Sequence, residues 1–96
     1  KRKYEKIACD AVRACSKGFK AHGPVTLHYT FFEPETGQKR DHMNVFAFAD
    51  KVIQDALQKC GVIKNDSPEY VDGSQIIHTF KYTKGIPRIE VEVIEI

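Results

Sequence analysis

The sequence lacks any apolar run approaching the roughly 20 residues that cross a bilayer, so a membrane-spanning helix is not expected. No secretory signal is legible at the amino end, and the chain opens on what already reads as helix, so residues ahead of Lys1 are expected. No repeat, linker or low-complexity stretch divides the chain, and residues 1–96 read as a single domain. Cysteine is scarce and odd in number. Cys9, Cys15 and Cys60 have no paired spacing, which argues against a disulfide framework and suits reduced thiols in a cytosolic protein. Cys9 and Cys15 stand six apart on a helix, hence on different faces, and the four histidines are scattered, so no zinc-ligand pattern is completed. Net charge is only +2, too small to establish a nucleic-acid partner by itself.

What is present is 42% hydrophobic, enough for a modest core in a chain of a size where a partner subunit often helps. Charge is also uneven. Seven basic residues within positions 1–20 face only Glu5 and Asp10, while Glu90, Glu92 and Glu95 close the chain without a base among the last eight positions. The amino end is therefore the better candidate for a phosphate-facing surface.

Tyr4, Ile7, Ala8, Ala11, Val12, Cys15 and Phe19 recur at helical spacing and give a first amphipathic helix that ends between Gly18 and Gly23. Val25, Leu27, Tyr29 and Phe31 alternate with Thr26, His28 and Thr30, the period of a strand with one face buried. Turn chemistry at Glu33–Gly37 then delivers Lys39, Arg40 and Asp41 to a second helix. Its buried stripe is Val45, Phe48, Ala49, Val52, Ile53, Ala56, Leu57 and Cys60, and Gly61 closes it. Asn44, Lys51 and Asp55 fall within about a quarter turn of one another on another side, and a solvated Lys51–Asp55 ion pair is the plainest reading of two of them. A polar loop, Lys64 to Gly73, follows. Gln75–Tyr82 and Ile89–Ile96 read as two further strands, joined through Gly85 and Pro87 as an antiparallel hairpin. The order helix, strand, helix, strand, strand implies an α+β domain: a small mixed or antiparallel sheet with two helices packed on one face.

These residues carry a resemblance. Pro24-Val25, the turn before Lys39-Arg40-Asp41, Asn44, the run Lys51 to Leu57, Gly61 to Ile63, Asp66 and the closing Pro87 to Glu92 resemble the RusA family of Holliday junction resolvases over nearly the whole chain. The resemblance implies a RusA-like α+β homodimer, often encoded by phages and prophages, that cuts four-way DNA junctions with Mg2+ in the cytoplasm of a bacterial or phage-infected cell. Mn2+ is the expected substitute. It also implies catalytic roles for Asp41, Asp66 and Lys51, metal ligation by Asp41 and Asp66, and DNA contacts from Lys39, Arg40 and Asn44. Read without the resemblance, Asp41 is a helix cap, Asp66 a turn residue and His42 an exposed loop residue. One position departs from the family motif, an Asp-x-Asp-Asn: Met43 stands where the second aspartate belongs. A thioether is a poor ligand for a hard cation, so weakened cutting is expected.

Overall fold

A computed structural model describes residues 2–35, 41–65 and 67–96. The elements run α1 (Arg2–Ser16), β1 (Val25–Pro34), α2 (His42–Lys59), a 3-10 turn (Gly73–Gln75), β2 (Ile77–Thr83) and β3 (Arg88–Glu95), so the α+β class read from the sequence is the one observed.

β1 lies at the centre of a three-stranded sheet of order β2-β1-β3. Its alternation decides this. Val25, Leu27, Tyr29 and Phe31 point one way and are each 1% exposed or less, so they need cover from both neighbouring strands as well as from the helices. Burying a leucine or phenylalanine this fully contributes about 1.5–3 kcal/mol each, which makes β1 the costliest strand to leave at an edge. α2 lies over this face through Ala49 and Leu57, with Val45, Phe46 and Ile53 packed around them. α1 lies beside α2, its Ala8 and Cys9 packed on Val52 and Ala56.

The expected hairpin is not what forms. β2 pairs parallel to β1, with Phe31 opposite Phe80, and β3 pairs antiparallel to the other edge of β1, with Tyr29 opposite Val91. β2 and β3 are thus separated by β1, and residues 84–87 cross over its carboxyl end. The physical reason lies in the order strand, helix, strand. A helix inserted between two strands returns the chain to the starting end of the sheet, so β1-α2-β2 closes as a parallel crossover unit.

The helix ends are set locally. α1 stops where Lys17 and Gly18 adopt left-handed conformations, φ 50° and 84°. At the end of α2, Gly61 takes φ 77°, its N–H donates to the Gln58 carbonyl and the Val62 N–H to the Leu57 carbonyl, the two bonds of a Schellman closure. Of the stripe read for α1 only Ala8 is buried and Val12 half-buried, while Tyr4, Ile7, Ala11, Cys15 and Phe19 are exposed; Cys9, outside that stripe, is buried instead. Among the described residues no helix is long and apolar enough to cross a membrane.

Candidate functional site

Asp41 begins α2. Its backbone is extended, and its Oδ1 accepts from the Met43 N–H at 3.0 Å and the Asn44 N–H at 3.3 Å. A cap of this kind stabilises a helix by about 1 kcal/mol. Both bonds fall on one oxygen, so Oδ2 makes no hydrogen bond among the described residues. Met43 and Asn44 are exposed beside it. Farther along, Lys51 Nζ donates to Asp55 Oδ1 at 3.2 Å, as the four-residue spacing suggests. Lys51 stands ten residues past Asp41, about 15 Å along a helix axis. The two therefore do not meet at one atom, and Lys51 instead shares an accessible stripe with Asn44, about 10 Å away along the axis. Lys39, Arg40 and Asp66 lie outside the described residues. Next to Asp66, Asn65 Oδ1 accepts from the Ser67 N–H, and Ser67 O accepts from the Tyr70 and Val71 N–H groups, forming a tight turn ahead of the Val71–Val25 bridge.

His42 is not the exposed loop residue that its position suggests. It is the first residue of α2, and its ring stacks on Phe80 at 3.7 Å and 2°. Phe80 stacks in turn on Phe31 at 4.5 Å, and His78 stacks on Phe46 at 4.3 Å. The parallel register of β1 and β2 brings Phe31 and Phe80 together, and the start of α2 supplies His42 and Phe46. An imidazole stacked on a phenyl ring retains both nitrogens for donors, acceptors or phosphate oxygens.

A second polar centre escapes the sequence reading. The Tyr29 hydroxyl donates to Asp50 Oδ1 at 2.5 Å, and Gln54 Nε2 donates to the same oxygen at 2.9 Å. Burial, together with the adjacent Asp50 carboxylate, pushes the Tyr29 phenol far above its ordinary pKa. Asp50 and Gln54 line a hollow of about 460 Å³ with Phe46, Pro68 and His78. A signal is present in the sequence: a tyrosine on the buried row of a strand must place its hydroxyl on a partner, and Phe46, Asp50 and Gln54 recur at four-residue steps on one flank of α2.

The basic excess of α1 is partly neutralised. Lys6 reaches Asp10 at 3.0 Å and Arg13 reaches it at 3.8 Å, whereas Glu5 is taken up by Lys59 from α2 at 3.2 Å and offsets no base of α1. Magnesium requires oxygen donors. Asp41 Oδ2 is one of suitable chemistry, Met43 supplies none, and no group of three or more His, Cys, Asp or Glu side chains among the described residues stands close enough to hold an ion.

Fold and site together define a small α+β domain with a β-α-β crossover, whose helix after β1 begins at a carboxylate and exposes a polar stripe. Comparison with protein-family models, with curated proteins and with solved structures returned no match.

Proposed function

We propose that the chain is a RusA-like protein of branched DNA, acting on four-way junctions as a magnesium-dependent endonuclease. The observation that carries this reading is the exposed flank of α2, on which Asp41, with one oxygen that no described residue engages, Asn44 and Lys51 follow one another. The Asn44–Lys51 span of about 10 Å covers roughly three phosphate steps of one duplex strand, measured along the duplex axis at about 3.4 Å each. Lys39, Arg40 and Asn44 hold the backbone, and Lys51 offsets phosphate charge along the same line. Asp41 and Asp66 are the residues that would hold magnesium. The ion would supply charge neutralisation at the scissile phosphate and a water of lowered pKa. A junction has two-fold symmetry and paired cuts need two sites, so the acting form is a homodimer in the cytoplasm of a bacterial or phage-infected cell.

Met43 supports a second reading, a branched-DNA-binding protein that cuts weakly or not at all. Its exposed thioether adjoins Asp41, the position at which a further carboxylate would complete an oxygen-donor set. A labelled four-way junction and matching linear duplex, each with magnesium and with chelator, separate the two. Magnesium-dependent cutting of the junction supports the first reading. Selective, magnesium-independent binding without cutting supports the second, and neither behaviour refutes both. Met43→Asp is expected to raise magnesium-dependent cutting by an order of magnitude or more. A weakly active protein left unchanged by it would show that the missing carboxylate is not what limits the reaction.

A further inference from the structure

α2 has two unlike flanks. Phe48, Val52 and Ala56 meet α1, whereas Phe46, Asp50 and Gln54 each stand two residues earlier, about 200° around the axis, and face the 3-10 turn and β2. With Pro68, Ile76 and His78 they enclose the hollow of about 460 Å³, within the roughly 300–1,000 Å³ of small-molecule sites. No described residue of α1 lines it. The hydrogen bonds inside fix what the hollow offers a ligand. The Tyr29 hydroxyl and Gln54 Nε2 both donate to Asp50 Oδ1. An ionised carboxylate only accepts, so the Gln54 amide must turn its nitrogen to Asp50 and keep Oε1 for another group. Asp50 Oδ2 and Gln54 Oε1 have no partner among the described residues. Every buried side-chain oxygen or nitrogen there has one, so both oxygens are open to solvent.

We propose that this hollow is a binding site for the guanidinium group of arginine, carried by the free amino acid or by the side chain of a peptide. Its open groups are acceptors, one of them charged, and they call for a cation rich in donors. No lysine or arginine lines it among the described residues, and Asp72, between the lining residues Val71 and Gly73, adds a second negative charge, so phosphate and carboxylate ligands are disfavoured. Phe46 and His78, stacked at 4.3 Å, make one wall. A flat, weakly hydrated guanidinium suits an aromatic wall better than a compact ammonium does. One N–H of the fork would donate to Asp50 Oδ2 and another to Gln54 Oε1, bonds strengthened by the charge on both sides at Asp50. The site shares no residue with Asp41, Asn44 or Lys51, so it does not depend on the nuclease reading.

The test is an NMR titration of the full, isotope-labelled chain with L-arginine, N-acetyl-arginine amide, N-acetyl-lysine amide and cytidine. It reads the Gln54 side-chain amide and the backbone amides of Gly73 and Ile76. Saturable shifts at these positions are expected from both arginine ligands, with the lysine ligand and cytidine about tenfold weaker. Whichever arginine ligand binds more tightly identifies the source, the capped form standing for a peptide and the other for the free amino acid. Asp50→Asn is expected to weaken arginine binding about tenfold by removing the charge. Gln54→Lys is expected to abolish it, because the new ammonium takes the acceptors itself. That variant leaves the Tyr29–Asp50 bond in place, so it decides the matter if Asp50→Asn does not fold. Absence of shifts at millimolar arginine, equal response to the lysine ligand, tighter binding of cytidine, or arginine binding that survives either variant in a folded protein would each overturn the proposal.

Discussion

Tyr29→Phe removes one oxygen from the interior and leaves the ring in place, so it isolates the bond between the central strand and α2. The hydroxyl donates to Asp50 Oδ1 at 2.5 Å, and the residue is 1% exposed. A hydrogen bond to a charged group is worth about 1.5–3 kcal/mol net. Asp50 is only half buried and keeps Gln54 at 2.9 Å, so the low end, about 1.5 kcal/mol, applies. For a domain of this size about 4–8 °C of Tm accompanies each kcal/mol, giving a fall of about 6–12 °C. Asp50→Ala is expected to cost more, about 2–3 kcal/mol, because it leaves a buried hydroxyl without an acceptor. The double variant should fall short of the sum by about 1 kcal/mol or more, since the second change removes a bond that the first has already broken. Calorimetry of the four proteins measures the cycle. Two additive effects, or a Tyr29→Phe variant as stable as the parent, would refute the hydrogen bond. Ultraviolet titration gives an independent check. Tyr29 is expected to stay un-ionised in alkali for as long as the fold persists, because burial holds its phenol far above the ordinary range.

Gly61→Ala should destabilise by about 1–2 kcal/mol in urea unfolding, because φ 77° is left-handed and the nearest obstacle to a Cβ, Lys20 Cε at 3.9 Å, is no clash. Acidification should loosen the Gly73–Gln75 turn. Hydrogen bonds from Ser74 and Gln75 hold the Asp72 carboxyl below the usual carboxylate range, so its contribution is present above the unfolded pKa of about 4 and is lost as pH falls through the folded value. A protection factor of the Ser74 amide, its exchange relative to an unstructured amide at the same pH, that does not fall below pH 4 would contradict this. Thiol labelling should be ordered: exposed Cys15 reacts first and Cys60 slowly, since desolvation and the neighbouring Cys9 push its thiol up. Junction affinity should fall steeply with salt, and Lys39→Ala with Arg40→Ala should flatten the slope by about 0.9 for each phosphate that is no longer neutralised. An unchanged slope moves the phosphate surface to α1.

Both helices and β1 are legible in the sequence because each rests on a period that burial enforces. Ala49, Val52, Ala56 and Leu57 recur on one stripe, and Val25 to Phe31 alternate apolar with polar, although Thr26 on the polar row is buried as well. The ends are legible where chemistry is local, as at Asp41 and Gly61. Strand pairing is not, because a short turn holding Gly85 and Pro87 looks the same whether it joins neighbours or crosses an intervening strand. The sign that distinguishes them, a helix between two strands, is topological rather than local. The apolar stripe of α1 is legible too, but not that Tyr4 and Ile7 are left uncovered, since periodicity says which residues want cover and not what provides it. At the candidate site, Asn44 and Lys51 read as residues of one helix face, and they are. Asp50 escapes notice because its partner comes from a strand 21 residues away and not from a motif.

The position of β1 also dictates the order of events during synthesis. It is made before both of its partners: one flank waits for residues 77–83 and the other for residues 88–95, so neither ladder can close until long after β1 itself has been translated. At about 5–20 residues per second, the 53 residues from 35 to 87 that separate β1 from β3 take about 3–10 seconds. Until β2 is made the nascent chain carries an apolar strand with two open edges, covered first by α1 alone and then by α1 and α2. It is a stage at which a holdase chaperone would find more to bind than it ever would on the finished fold.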